Sequence, residues 1–176
     1  MNICQTIIHL TPTMDKANYF EGSFEISKPL DEETAYLLNG LSKTRRMKRC
    51  LFQLAKYNKI SVHEAMQKYG IDGEFYFDPN DFKNYGQTPD MSIISYNSPP
   101  NRQPGIWCHW KYNSLTNSIE WNGLEEEFHN FYEWIVYIME VILHPKNYTI
   151  TGNIKWYSKN TIGSITIGDV GTVIHC

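Results

Sequence analysis

The chain has 176 residues, of which 41% are hydrophobic and 20% charged, as is typical of a folded globular chain and not of a disordered or fibrous one. We therefore predict a single domain over residues 1–176. The net charge of −3 hides a segregation, because residues 43–68 carry eight Lys or Arg against one acid, whereas residues 69–140 carry eleven acids against three basic residues. Charge separated in this way influences the choice of partner more than it influences the fold.

The N-terminal part of the pattern predicts a strand and then a helix. Residues 19–27 alternate apolar side chains with polar or small ones, as in a half-buried strand. Acids at 31–33 suit a helix first turn, where the backbone dipole is positive. We predict that this helix runs to about Asn39 and ends at Gly40.

The basic segment predicts two further helices. The first spans about residues 43–57, because Met47, Leu51 and Leu54 recur at helical spacing on one face. The second begins at the capping-box pattern of Ser61 to Glu64 and ends at Gly70. These two helices would form a helical insertion over residues 43–69.

A Pro-rich loop is predicted over residues 78–105, which contain five of the eight prolines. Such a stretch cannot be regular throughout, although a short strand at 91–96 could interrupt it. Residues 73–77 read as a strand as well. A long irregular segment inside a compact domain is usually functional or mobile.

The C-terminal part predicts a hairpin, a long helix and a set of strands. The helix spans about 125–143, with Asn122 as its cap and apolar side chains at helical spacing on one face. The hairpin is formed by 105–112 and 118–121, and the last strands are 148–157, 162–167 and 170–175.

The order of these elements predicts an α+β fold. Strand, helix, strand, strand, helix, strand is the split βαβ plan of ferredoxin-like folds with an antiparallel sheet. The helical insertion and an extra C-terminal hairpin would be added to this core.

The strongest candidate for a binding site is the group of basic residues. Guanidinium and ammonium groups on one helix face can bind phosphates or an acidic protein surface. The alternative is an ordinary solvated helix face. Helix, turn and capped helix resemble a helix-turn-helix in outline, although the next helix of such a module is not evident. The candidate residues are Arg45, Arg46, Lys48, Arg49, Lys56 and Lys59.

A weaker candidate is an acidic stripe on the long helix. Glu126, Glu133 and Glu140 are spaced by seven residues, which places them on one side of a helix. They are either a solvated face or a phosphate-mimicking surface that faces a basic groove of a partner. No neighbouring base supports an acid–base pair here.

Other residue types give no catalytic or metal motif. Cys108-His109 in a strand points one ligand to each face, and His175-Cys176 would do the same, so zinc-type spacing is absent. Trp107, Trp110 and Trp121 could stack on bases, but core packing is the more common role. We expect no cofactor and no metal.

Several stretches taken together resemble a known group of proteins. These small proteins come from gut Firmicutes, their phages and mobile elements, and the group is associated with anti-CRISPR inhibitors of type II-A Cas9. The resemblance covers most of the chain from about residue 19 onward. The stretches are RRMKR at 45–49, PPNRQPGIWCHW at 99–110, IEWNG at 119–123, FYEW at 131–134 and GNIKW at 152–156.

The resemblance implies a non-enzymatic, stoichiometric inhibitor that binds Cas9 or the Cas9–guide RNA complex and contacts double-stranded DNA as a further partner. It transfers no functional residues, so the candidate sites rest on charge and spacing. Two alternatives stay open. One is a DNA-binding accessory or regulatory phage protein, and the other is a small enzyme with its site under the Pro-rich loop.

The expected location is the cytoplasm of the host bacterial cell. The first ten residues have no basic start before their short apolar stretch. The four cysteines lie far apart in the chain with no CxxC pair, which favours free thiols in a reducing compartment. They are Cys4, Cys50, Cys108 and Cys176. The most apolar run, at 134–143, is too short to span a bilayer.

Overall fold

Antiparallel sheets and helices make up the structure, a computed structural model that describes residues 16–78, 90–124, 127–159, 161–168 and 173–175. The α+β prediction is confirmed at this level. The chain divides into two units, namely the described parts of Met1–Ala35 with His109–Cys176 (unit 1) and of Tyr36–Cys108 (unit 2). The prediction of a single domain stays a prediction.

The elements follow one another in chain order, with three short irregular helices among them. The helices are α1 (Glu32–Lys43), α2 (Leu51–Asn58), α3 (Val62–Tyr69) and α4 (Phe131–Tyr137), with a 3-10 helix at Ile71–Gly73, a π-helix at Ile138–Leu143 and a 3-10 helix at His144–Lys146. The strands are β1 (Lys16–Ala17), β2 (Tyr19–Ile26), β3 (Lys48–Arg49), β4 (Ile93–Ser95), β5 (Trp110–Asn113), β6 (Ser118–Trp121), β7 (Phe128–His129), β8 (Ile150–Tyr157), β9 (Ile162–Ile167) and β10 (Val173–His175).

Unit 1 is built on a sheet that, in the described residues, has the strand order β10-β9-β8-β2-β6-β5. Every neighbouring pair in it is antiparallel. The predicted strand at 19–27 is confirmed, with Phe20, Phe24 and Ile26 buried on one face. This alternation is what the period of two in the sequence indicates.

Two glycines allow β2 and β8 to approach closely. Gly22 has a φ of 103°, and a Cβ built on it would lie 2.4 Å from the carbonyl oxygen of Asn153. Gly152 has a φ of 140°, and its Cβ would lie 2.6 Å from the carbonyl oxygen of Ser23. Only glycine combines these backbone angles with the missing side chain.

Aromatic rings fill the core of unit 1. Phe20 makes edge contacts with Trp110, Phe128 and Phe131 at centroid distances of 5.0, 5.7 and 5.3 Å. The indole N–H of Trp110 donates to the carbonyl of Phe131 at 2.8 Å. The buried indole of Trp110 therefore has a hydrogen-bond partner as well as ring contacts.

The last long helix begins later than the sequence predicts. Residues 128–129 pair with β1 instead of entering a helix, and α4 starts after Asn130, whose φ is 54°. The side chain of Asn122, which we predicted as the cap, accepts from the backbone N–H of Leu124 at 3.1 Å. The predicted helix start near residue 125 was wrong, because β7 pairs with β1, a strand more than 100 residues earlier, and this pairing outweighs the local helical pattern.

Gly40 lies inside α1, so the predicted helix end at this residue was also wrong. A Cβ at Gly40 would lie 2.6 Å from the ring of Phe77, so this glycine makes room for a packed ring. The other end of α1 fits the prediction, because the carboxylate of Asp31 accepts from the N–H of Thr34 at 2.7 Å.

The stability of α1 is expected to depend on pH through Asp31. The backbone hydrogen bond from Thr34 is the largest cause that lowers the pKa of this carboxyl from 3.8 to about 2, and Tyr148 and Lys146 lower it further. A depressed folded-state pKa adds stability that is present above pH 3.8 and lost as the pH falls toward 2. Because the group is exposed, solvent screening limits the effect to about 1 kcal/mol.

Urea unfolding of the wild type and Asp31→Asn between pH 5 and pH 2 measures this contribution. Asparagine also caps helices well, but it does not titrate. The advantage of the wild type should therefore shrink in that window. A difference that stays constant with pH would contradict the assignment.

The predicted basic helix over 43–57 is replaced by an extended segment and a shorter helix. Three backbone N–H groups of this segment donate to the loop that follows residue 90: Arg46 to Ile106 at 2.8 Å, Lys48 to Ser98 at 2.8 Å and Cys50 to Ser92 at 2.7 Å. These bonds replace the helical ones, so the chain is extended through β3 and α2 begins only at Leu51.

Other parts of unit 2 follow the sequence more closely. The capping box of α3 is present, because Ser61 and Glu64 exchange side-chain and backbone hydrogen bonds. A strand, β4, lies inside the predicted 91–96. In place of the strand predicted at 73–77, Gly73 ends the 3-10 helix, residues 74–75 form a turn and residues 76–77 have no regular secondary structure. Residues 79–89 of the Pro-rich loop lie outside the described residues.

Candidate nucleic-acid interface

Arg46 is buried in unit 2, with only 2% of its surface exposed. Its guanidinium donates to Oε1 of Gln103 at 3.0 Å, to the hydroxyl of Thr44 at 2.9 Å and to the carbonyl of Glu74 at 2.9 Å. It also lies 4.6 Å from the ring centroid of Phe77. This side chain therefore ties three parts of unit 2 together.

Arg49 is buried in the same way, with 3% exposed. Its guanidinium donates to the carboxylate of Asp90 and to the hydroxyl of Ser92, and it lies 4.9 Å from the ring centroid of Tyr76. Hydrogen bonding from Ser92 and Arg49 lowers the pKa of Asp90 against the opposing effect of burial. Arg46 and Arg49, which the charge pattern predicted as partner-binding residues, therefore bind groups inside the protein instead.

Arg45 and Lys48 occupy an intermediate position, half-buried but at the surface of unit 2. Arg45 donates to the carbonyl of Tyr96 at 2.9 Å and lies 5.6 Å from the ring centroid of Trp107. Lys48 donates to the side chain of Asn101 at 2.9 Å and lies 3.3 Å from the carboxylate of Asp72. Surface ion pairs of this kind are weak, so a polyanion could compete for Lys48.

Among the six basic candidates, Lys56 and Lys59 are the exposed ones. Lys56 lies in the last turn of α2, and Lys59 follows the helix in the left-handed conformation, with a φ of 55°. Lys68 and His63 of α3 are exposed as well. We name the exposed side chains of residues 51–69 the α2–α3 surface.

The two helices of this surface are held by a small apolar cluster. Leu54 and Ala55 of α2 belong to the same buried cluster as Ala65 and Tyr69 of α3. The ring of Tyr69 meets that of Tyr76 edge-on, with the centroids 5.0 Å apart. The α2–α3 pair is therefore anchored on its inner side.

The acidic stripe is described only in part. Glu133 and Glu140 are exposed, on α4 and on the π-helix that follows it, whereas Glu126 lies outside the described residues. Burial raises the pKa of Tyr132, and the charges of the two carboxylates raise it further. The helix changes from α to π geometry between Glu133 and Glu140, so the angle between these two side chains around the helix axis differs from that in a regular α-helix.

The tryptophans differ in their surroundings. Trp110 is fully buried in unit 1, and Trp121, its cross-strand partner, is half-buried. Trp107 is half-buried in unit 2 beside Arg45. Core packing, which we considered the common role for such residues, accounts for Trp110.

Within the described parts of the chain, no group of three or more His, Cys, Asp or Glu side chains could hold a metal ion. His109 is buried, with its ring 4.7 Å from that of Phe128 and its Nδ1 3.3 Å from the amide of Asn122. Cys50 and Cys108 are free thiols. The side chains of residues 175 and 176 are outside the description.

Sequence reasoning missed the exposed residues of α3. Val62, Met66 and Gln67 lie on the same helix as His63 and Lys68 and are exposed. The signal that could have found them was the strong capping box, which fixes where the helix begins and hence which residues share a face. The charges of residues 45–49 are the more prominent signal in the sequence.

No helix in the described part of the chain has the length and apolar character that crossing a membrane requires. No protein-family model, curated protein or solved structure that was compared with the chain matches it.

Proposed function

We propose that this chain is a non-enzymatic binding protein that inhibits type II-A Cas9, or its complex with guide RNA, at a stoichiometric ratio. The observation that carries the proposal is the charge of the α2–α3 surface. Residues 51–69, all described, contain three lysines and one glutamate, a net of +2 with histidine neutral. That glutamate, Glu64, is engaged by the capping box.

A nucleoprotein effector offers the complementary charge. Guide RNA and target DNA carry one phosphate per nucleotide, and ammonium groups that neutralise phosphates release bound counterions. The hydrogen bonds from Ser61 keep the pKa of Glu64 below its usual value. This carboxylate accepts from the backbone N–H of Ser61 at 2.8 Å, so it is engaged within α3. The resemblance of the sequence stretches to anti-CRISPR proteins selects Cas9 as the effector, in the cytoplasm of the host bacterium.

The fold that we propose for the core of the sheet is ferredoxin-like, with an extra C-terminal hairpin. The order β8-β2-β6-β5, with antiparallel neighbours throughout, supports it. The split βαβ plan puts its last strand beside the first and its third strand on the other side of the first. Strands β9 and β10, which extend the sheet beyond β8, correspond to the hairpin.

Target-DNA cleavage by a purified type II-A Cas9–guide complex, titrated with this protein, tests the function. We expect cleavage to stop at a ratio near one to one. Lys56→Ala/Lys59→Ala should need roughly ten times more protein, since two charge contacts contribute about 1.4 kcal/mol together. Lys155→Ala/Lys159→Ala is the matched control, because both lysines are exposed in unit 1 and the change in charge is the same.

Two results would contradict this function. The wild-type protein could leave cleavage unchanged at tenfold excess over several Cas9 orthologues. Alternatively, the Lys56→Ala/Lys59→Ala variant could inhibit as well as the control variant, which would remove the α2–α3 surface from the mechanism.

A further inference from the structure

The connection between α2 and α3 has the turn length of a helix-turn-helix. Three residues, 59–61, join the helices. Lys59 adopts the left-handed conformation, and the N–H of Ile60 donates to the carbonyl of Ala55 at 3.0 Å. Ser61 then caps α3. A turn of three to four residues between two packed helices is one feature of this motif.

Helix α3 is anchored by one narrow stripe. Only Ala65 and Tyr69 of its eight residues are buried, at positions i and i+4, and the other six are exposed. The helix therefore lies on the surface of unit 2 with most of its circumference in solvent. An α-helix with its side chains is about 10–12 Å across, which matches a B-DNA major groove about 12 Å wide.

The exposed side chains of α3 suit base edges. Val62 and Met66, which are 43% and 51% exposed, lie at i and i+4 on one face and can contact a thymine methyl group. Gln67, next to Met66, can bond the N6 and N7 groups of adenine in a bidentate way. His63 adds a donor or acceptor on the same exposed arc.

Lysines flank this face on both helices. Lys56 lies at the end of α2, Lys59 lies in the turn, and Lys68 lies in the last turn of α3. In helix-turn-helix proteins the first helix crosses the phosphate backbone while the second enters the groove. Lys56 and Lys59 are placed for the first of these contacts.

We infer that the α2–α3 surface binds duplex DNA, with α3 in the major groove and Lys56 and Lys59 against phosphates. Double-stranded RNA fits less well, because its major groove is too deep and narrow for side chains to read. The inference rests on the proposed function in using the same surface, and it specifies the ligand of that surface as duplex DNA.

The test uses the full chain. Rounds of selection from a randomised duplex pool, followed by fluorescence anisotropy of the enriched duplex at salt concentrations from 50 to 300 mM, measure affinity and its salt dependence. We expect an enriched motif with A·T pairs. In Lys56→Ala, the slope of log affinity against log salt should fall by about 1. Gln67→Ala should weaken binding to the selected duplex about tenfold, with scrambled duplex unaffected.

Three outcomes would overturn the inference: no duplex binding at 50 mM salt, tighter binding to RNA or single-stranded DNA of the same sequence, or an unchanged salt slope in Lys56→Ala/Lys59→Ala. Gln67 and both lysines are exposed, and circular dichroism checks that each variant is folded. Cas9 inhibition that persists without DNA binding rejects this inference alone. DNA binding without Cas9 inhibition rejects only the proposed function.

Discussion

Replacing Arg46 by alanine is expected to lower the free energy of unfolding of unit 2 by about 3–5 kcal/mol. The guanidinium is 2% exposed and donates to Gln103, Thr44 and the carbonyl of Glu74. Alanine leaves these buried acceptors without that donor, and it leaves a cavity beside Phe77. Urea unfolding followed by circular dichroism measures the loss.

The controls for this prediction separate burial from charge. Lys56→Ala removes one positive charge from an exposed position of unit 2 and should change stability by no more than roughly 0.5 kcal/mol. Arg46→Lys keeps the charge but not the planar fork of donors, so it should recover only part of the loss. Equal stability of Arg46→Ala and Lys56→Ala would refute the internal role of Arg46.

Replacing Gly22 by alanine is expected to destabilise unit 1 by about 3 kcal/mol. Two effects add: an L-residue is strained at a φ of 103°, and the new Cβ would lie 2.4 Å from the carbonyl oxygen of Asn153. That oxygen belongs to the backbone of β8, so it cannot rotate away as a side chain would. The two strands would have to separate.

Gly123→Ala is the matched control for Gly22→Ala. Its φ is also positive, at 80°, but nothing lies within 4 Å of the position of its Cβ. Only the conformational cost remains there, about 1 kcal/mol. A similar loss at both glycines would show that the approach of β2 and β8 is looser than the structure has it.

Elements whose signals are local could be predicted from the sequence. The alternation of β2, the second hairpin strand β6 and the capping box of α3 lie where the pattern predicts them, whereas the first hairpin strand, predicted at 105–112, is β5 at Trp110–Asn113. Each depends on residues close together in the chain, so period and turn chemistry suffice. The excess of positive charge in residues 43–68 can likewise be counted directly from the sequence.

Which of those charges reach solvent depends on contacts between distant parts of the chain. Arg46 finds acceptors 28 and 57 residues away, and Arg49 finds them 41 and 43 residues away. A helical pattern cannot show such partners, since it contains no information about a distant loop. The same cause ended the predicted basic helix, because backbone bonds to residues 92–106 replaced those within the helix. Because Arg46 and Arg49 are buried by these long-range contacts, the exposed candidate surface is the α2–α3 surface and not residues 45–49.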